Sequence, residues 1–280
     1  MLSRRGLITA GAVGLATGAN LVRTAAAQDR SSQSTWQRIQ QRKKLVVGGV
    51  ANGAPYYSKD IRTGEWKGFY YELSKQLADD IGVELEVYET VWGNGVLDIQ
   101  ARKIDILFGL SATPKRALSI DFTDPIFRSV VVAIGRPDFK AKSWADINKP
   151  DVTVAVDIGS SHEQAVTRMA PRATVLRFKS VEEATVAYQS GRANCQVVAV
   201  LLAMNARSKF PGIGNILLLE PAFGAESAGG IAREEDRTFR DFLTYFVRYY
   251  RANGLIREML LSNLSLIGLK PEDWPSEIPI

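Results

Sequence analysis

Apolar positions along this chain fall into short runs, and the runs switch between two spacings. Leu45-Val46-Val47-Gly48-Gly49-Val50 is a continuous apolar run closed by the Asn52-Gly53 turn pair, which predicts a buried strand. From residue 69 to 81 the apolar residues Phe69, Leu73, Leu77 and Ile81 recur every fourth position and stop at Gly82, the spacing of a helix with glycine after its last turn. A strand over 83–88, a short helix over 96–101 and a third strand over 104–109 follow. The alternation then restarts: strand 129–135, helix 144–147, strand 152–156, helix 161–169, strand 173–178, helix 181–190 and an apolar strand 196–201. After Pro221 come a strand over 228–232 and a long amphipathic helix over 237–253. Strand and helix in alternation predict parallel sheets flanked by helices, here as two α/β units with a return of the chain to the first. A polar segment over 28–41 reads as a loose terminus leading into a helix, and 266–280, with Pro271, Pro275 and Pro279, as a surface tail.

In open α/β sheets ligands gather at the carboxyl ends of strands, where helix starts converge. Two such points carry chemistry. Gly109-Leu110-Ser111-Ala112-Thr113-Pro114-Lys115-Arg116 places Thr113 as an N-cap before Pro114 at the first helical position. Ser111 and Thr113 add hydroxyls, and Arg116 brings a planar fork that fits both oxygens of a carboxylate. Gly159-Ser160-Ser161-His162-Glu163 is a strand end running into a Ser160-x-x-Glu163 helix start, which reads equally as a plain capping box. If the two units face each other, both points line one cleft.

The first 27 residues read as a signal peptide: Ser3-Arg4-Arg5-Gly6-Leu7-Ile8 leads into a Gly- and Ala-rich run ending at Ala25-Ala26-Ala27. The paired arginines resemble a twin-arginine export signal, with general secretion as the alternative. Residues 6–19 are too short and too glycine-rich for a span of ~30 Å of hydrocarbon. Arg4, Arg5 and Arg23 of the 35 basic residues lie in this leader, so the rest carries 32 basic groups against 30 acidic ones. That balance lacks the basic footprint of a nucleic-acid binder. With Cys195 the only cysteine and His162 the only histidine, an internal disulfide is excluded, no Cys/His metal site is expected, and a Ser-His-Asp triad would have to use His162. No cofactor is expected.

Several motifs, in this order, resemble the family 3 extracellular solute-binding proteins, the polar amino-acid class that feeds ABC importers. They are Val47-Gly48 to Pro55-Tyr56-Tyr57, Trp66-Lys67-Gly68-Phe69-Tyr70-Tyr71-Glu72-Leu73, Trp92, Lys103-Ile104-Asp105-Ile106, Gly109 to Arg116, Asp121-Phe122-Thr123-Asp124-Pro125, Val154-Ala155-Val156 to Glu163, and Ala252-Asn253-Gly254-Leu255-Ile256. The resemblance runs from about Leu45 to about Met259. It implies the α/β two-lobe periplasmic-binding-protein fold, type II, with lobe 1 as 28–130 and 226–280 and lobe 2 as 131–225. It also implies a periplasmic monomer that closes on a small ligand and docks on an ABC permease. By position, Arg116 matches the clamp on the ligand carboxylate, with Ser111 and Thr113 beside it. Tyr56 or Tyr57 matches the aromatic cover, Trp92 lies at the matching helix start, and Ser160 and Ser161 match the second-lobe donors. Core packing is the alternative role for the aromatics.

Two departures narrow the ligand. Gly191-Arg192-Ala193-Asn194-Cys195-Gln196-Val197-Val198-Ala199 puts Ala199 where amino-acid binders carry the Asp that pairs with the ligand ammonium. A buried ammonium without a partner is expensive, so an ordinary α-amino acid is expected only if Glu163, Asp157 or Glu226 substitutes. Gly95 stands where acidic-amino-acid binders often have an arginine. The expected ligand is a small carboxylate, or an amino-acid derivative with its amine absent or masked. Two alternatives are a periplasmic cyclohexadienyl dehydratase-like enzyme with Glu163 or His162 as its acid, and an accessory protein of a periplasmic dehydrogenase or sensor.

Overall fold

The computed structural model describes residues 33–274; the expected leader and residues 275–280 lie outside them. The chain enters through α1 (Thr35–Arg42), where Ser34 and Gln37 form a reciprocal capping box, and passes into β1 (Lys44–Gly49). A small hairpin of β2 (Ser58–Lys59) and β3 (Trp66–Lys67) precedes α2 (Phe69–Ile81). Its four-residue spacing buries Phe69, Leu73 and Leu77 completely, roughly 1.5–3 kcal/mol of transfer free energy each, and Gly82 ends it in the left-handed conformation at φ 73°. β4 (Glu84–Glu89), α3 (Gly95–Gln100), β5 (Ile106–Ser111), α4 (Pro114–Ala117) and β6 (Ile120–Phe122) complete this stretch. The second stretch runs through β7 (Phe127–Gly135), α5 (Trp144–Ile147), β8 (Thr153–Asp157), α6 (Ser161–Met169), β9 (Thr174–Phe178), α7 (Val181–Gln189), β10 (Cys195–Ala199) and α8 (Val200–Lys209). β11 (Asn215–Ala232), α9 (Thr238–Ala252) and α10 (Leu255–Ser262) bring it back.

The strands join in the order β4-β1-β5-β11-β7-β10-β8-β9, with β6 on β11. β4-β1-β5 is one parallel arm and β10-β8-β9 the other. Between them β11 and β7 run antiparallel to each other, β11 also antiparallel to β5 and β7 to β10. The two arms are therefore joined by extended strands that belong to both, and their carboxyl ends face each other across the junction.

The structure corrects the expected pattern in two places. The apolar run expected as a strand over 196–201 turns at Ala199 into α8, whose buried face is Leu201, Leu202 and Ala203; apolar residues on consecutive positions suit a buried helix start as well as a strand. The strand expected over 228–232 starts much earlier, at Asn215. Residues 215–218 and 223–227 both pair with β7, and the ladder slips between Leu218 and Phe223, where Pro221 has no N–H to give. The described part of the tail, 266–274, is mostly exposed, as expected, and is anchored by buried Ile267 and by Trp274, which lies edge-on to Phe127.

Candidate ligand cleft

β5 ends at Ser111, and the chain turns at Thr113, which is extended at φ −93° and ψ 148° and whose hydroxyl oxygen accepts the Arg116 N–H at 3.4 Å. Pro114 occupies the first helical position, as the sequence predicts. α4 is a single turn, so its dipole is slight and the chemistry falls on Arg116. That turn folds the guanidinium back against the strand end: Nη1 donates to the Ser111 carbonyl at 3.2 Å and Nη2 to the Gly159 carbonyl, on the facing wall, at 3.1 Å. Arg116 is only 7% exposed. Burial pulls its pKa down to about 10, and the negative charge of Asp157 opposes the fall. The group stays cationic at neutral pH, and each terminal nitrogen keeps a second N–H for a carboxylate.

The facing wall is the end of β8 and the start of α6. Ser160 Oγ caps α6 by accepting the Glu163 N–H at 3.1 Å and donates to the Asp157 carbonyl at 2.7 Å. Ser111 Oγ donates to Ser161 Oγ at 3.0 Å, so the walls touch through these hydroxyls as well. They also meet backbone to backbone, since a Cβ on Gly93 would stand 2.2 Å from the Ile158 carbonyl oxygen. Glu163 reaches past the cap: it accepts the Gly159 N–H at 2.7 Å and Arg177 Nε at 2.5 Å. His162 and Asp157 form a buried pair, Nδ1 to Oδ1, at 2.8 Å.

Between the walls lies a narrow cleft. Tyr56, Trp92, Ser111, Arg116, Ser160 and Ser161 line it together; Thr113 does not, its oxygen being used on the α4 cap. Tyr56 stacks on Tyr70 with centroids 5.3 Å apart and meets Trp92 edge-on at 6.2 Å. Burial raises the pKa of the Tyr56 hydroxyl, and the neighbouring Ser129 hydroxyl opposes that rise. Tyr57, the other candidate, is wholly buried and donates to the Phe108 carbonyl at 3.3 Å. Trp92 Nε1 is buried without a hydrogen-bond partner among the described residues, and Trp92 belongs to the cleft lining.

Ala199 lines the cleft beside Leu202, so the position of the expected Asp does face inward. None of the substitutes lines it: Asp157 is turned to His162, Glu163 to Gly159 and Arg177, and Glu226 is exposed opposite Arg128. Gly95 sits in the packed interior, where a Cβ would stand 2.5 Å from Leu107 Cδ2, and lies outside the cleft lining. Ser129, Ser227 and Leu202 also line the cleft and carry no sequence signal, because they lie on β7, β11 and α8. His162 could be singled out only as the sole histidine of the chain.

Two parallel α/β arms joined by crossing strands around a polar cleft make the two-lobe periplasmic binding-protein fold. Residues 45–262 match the bacterial extracellular solute-binding proteins, family 3, and the chain belongs to that family. The glutamine-binding protein of Geobacillus stearothermophilus is 27% identical over 215 residues, covering 75% of this chain and 80% of that protein. A cyclohexadienyl dehydratase of Pseudomonas aeruginosa is 23% identical over 241 residues, 84% of this chain and 88% of the enzyme. Among solved structures, an ancestral amino acid-binding protein that is a precursor of cyclohexadienyl dehydratase superposes with a TM-score of 0.71 at 29% identity. That match covers 81% of this chain and 97% of the other.

Proposed function

We propose that this protein is the exported, periplasmic solute-binding component of an ABC importer, and that it captures a small carboxylate by closing two lobes on it. Lobe 1 comprises residues 28–130 and 226–280, lobe 2 residues 131–225, and the closed form is what docks on the permease. The observation that carries the reading is Arg116: a buried cation that bonds both walls at once and has no carboxylate among the described residues of its cleft. A ligand carboxylate supplies the missing charge, and Ser111 and Ser161 add hydroxyl donors from opposite sides. Closure follows because contacts from both walls exist together only when the lobes meet. Ala199 and Leu202 make the inner wall apolar where an ammonium would need a partner, which favours a ligand whose amine is absent or masked.

Mass spectrometry of small molecules released from the denatured protein, followed by calorimetry with the candidates, identifies the ligand. Arg116→Ala is expected to lower carboxylate affinity at least ~30-fold, since truncating a buried charge-paired group costs about 2–5 kcal/mol. Full affinity in that variant would overturn the clamp.

A second reading has one specific observation behind it: the Asp157–His162 pair in the cleft is built like an oriented acid or base. Incubation with a cyclohexadienyl carboxylate such as prephenate tests it, and absence of an aromatic product removes it. Glu163, the other candidate acid, is held away from the cleft by Gly159 and Arg177.

A further inference from the structure

The polar groups of the cleft are donor-only side chains and hydroxyls. Arg116 and Trp92 can only donate, and Trp92 Nε1 is buried without a partner among the described residues. Ser111 and Ser161 are bonded to each other, Ser160 donates to the Asp157 carbonyl, and Ser227 is bonded to the Tyr70 hydroxyl. His162 differs from all of these. Its Nδ1 faces the carboxylate of Asp157 at 2.8 Å, with both side chains almost fully buried. In the tautomer that carries its proton on Nδ1, facing that carboxylate, Nε2 holds the ring lone pair, and His162 belongs to the cleft lining. The negative charge behind the ring makes that lone pair a stronger acceptor than an isolated imidazole.

We infer that the His162–Asp157 pair is the specificity element of the second wall, replacing the carboxylate missing at Ala199 by an imidazole acceptor polarised from behind. The ligand class that fits is a 2-hydroxy carboxylate. This deepens the carboxylate reading above and rests on it. A hydroxyl next to the carboxylate donates to Nε2 and can in turn accept from a donor such as Trp92 Nε1, which has no partner among the described residues. A 2-ammonium fits worse, because it brings a full positive charge into a cleft that already holds Arg116 and whose described lining has no carboxylate to pair with it. A carboxylate with no 2-substituent fits worse as well, because it leaves Nε2 and the indole N–H without partners.

The test is calorimetric titration of the protein with matched triplets in which a single carbon skeleton carries a 2-hydroxyl, a 2-ammonium or only hydrogen. Lactate, alanine and propionate are one triplet; malate, aspartate and succinate are a second; the 2-hydroxy, 2-amino and unsubstituted C6 branched acids are a third. In any skeleton that binds, the hydroxy acid is expected to bind at least tenfold more tightly than the unsubstituted acid and at least 100-fold more tightly than the amino acid. Replacing both members of the pair by apolar groups of similar shape, Asp157→Leu with His162→Phe, leaves neither member of the pair buried without the other and should abolish the gap between hydroxy and unsubstituted acids. Asp157→Asn keeps an acceptor for Nδ1 but removes the charge, and should narrow the gap severalfold; it serves if the double variant does not fold.

An amino acid that binds as tightly as its hydroxy partner, or a gap that survives both variants, overturns the inference and leaves the carboxylate clamp standing. No heat with any carboxylate, together with an Arg116→Ala variant whose melting temperature responds to the panel as the wild type does, overturns both.

Discussion

Arg116 shows how one residue can be unfavourable for folding and favourable for binding. Its folded pKa of about 10 lies well below the ordinary guanidinium value, so burial disfavours the cation by about 3 kcal/mol. Because the folded value is the lower one, this destabilisation is fully present below pH 10 and fades as pH rises beyond it. A carboxylate that pairs with the cation returns part of it as affinity. Ligand affinity should therefore be insensitive to the state of Arg116 up to about pH 9 and fall as pH passes about 10, which calorimetry at pH 7, 9 and 10.5 would show. A flat profile across that range would mean that the guanidinium does not meet the ligand. Cys195 gives a second residue-level expectation. Burial pushes its thiol up to about 12 and leaves it with no exposed surface, so iodoacetamide should leave the native protein unmodified and react fully after unfolding.

At the scale of elements, the contact of Gly93 with the Ile158–Gly159 turn sets how closely the walls approach. Gly93→Ala would place a methyl group 2.2 Å from a carbonyl oxygen, and the walls must part to admit it. The variant should keep its circular dichroism spectrum and lose at least tenfold in ligand affinity, because contacts to the second wall lengthen; unchanged affinity would show that the turn yields instead. The legibility of the elements followed the same division between local and distant causes. α2, α5 and α6 have the bounds their spacing and caps predict, and Thr113 and Ser160 are N-caps, since each of these features is decided within a few residues of chain. β11 was legible only in its last five residues. Its first part is mostly half-buried or exposed and is held by pairing with β7, a partner about 80 residues away that leaves no trace in local periodicity. The cleft divides likewise. Its members at strand ends and helix starts could be read, whereas Ser129, Ser227 and Leu202 enter it because the crossing strands and α8 pass beneath it.

For the whole molecule, binding across two lobes links affinity to global stability. Ligand at 100 times its Kd should stabilise the native state by about 2.7 kcal/mol. That corresponds to a rise in Tm of roughly 5–10 °C for a chain of this size, readable by differential scanning fluorimetry and absent in Arg116→Ala. The position of β11 has a separate effect, on the order in which the chain can reach its fold. It lies in the middle of the sheet, between β5 and β7, although it is the last strand to be made. Until the ribosome has passed Ala232, β5 and β7 each present a long unpaired edge, and neither arm can be finished. A chain ending at Gly214 should accordingly aggregate instead of yielding an independent first lobe, as sedimentation of the expressed fragment would reveal. During synthesis most of the polypeptide must wait, held open or guarded by chaperones, for its closing strand.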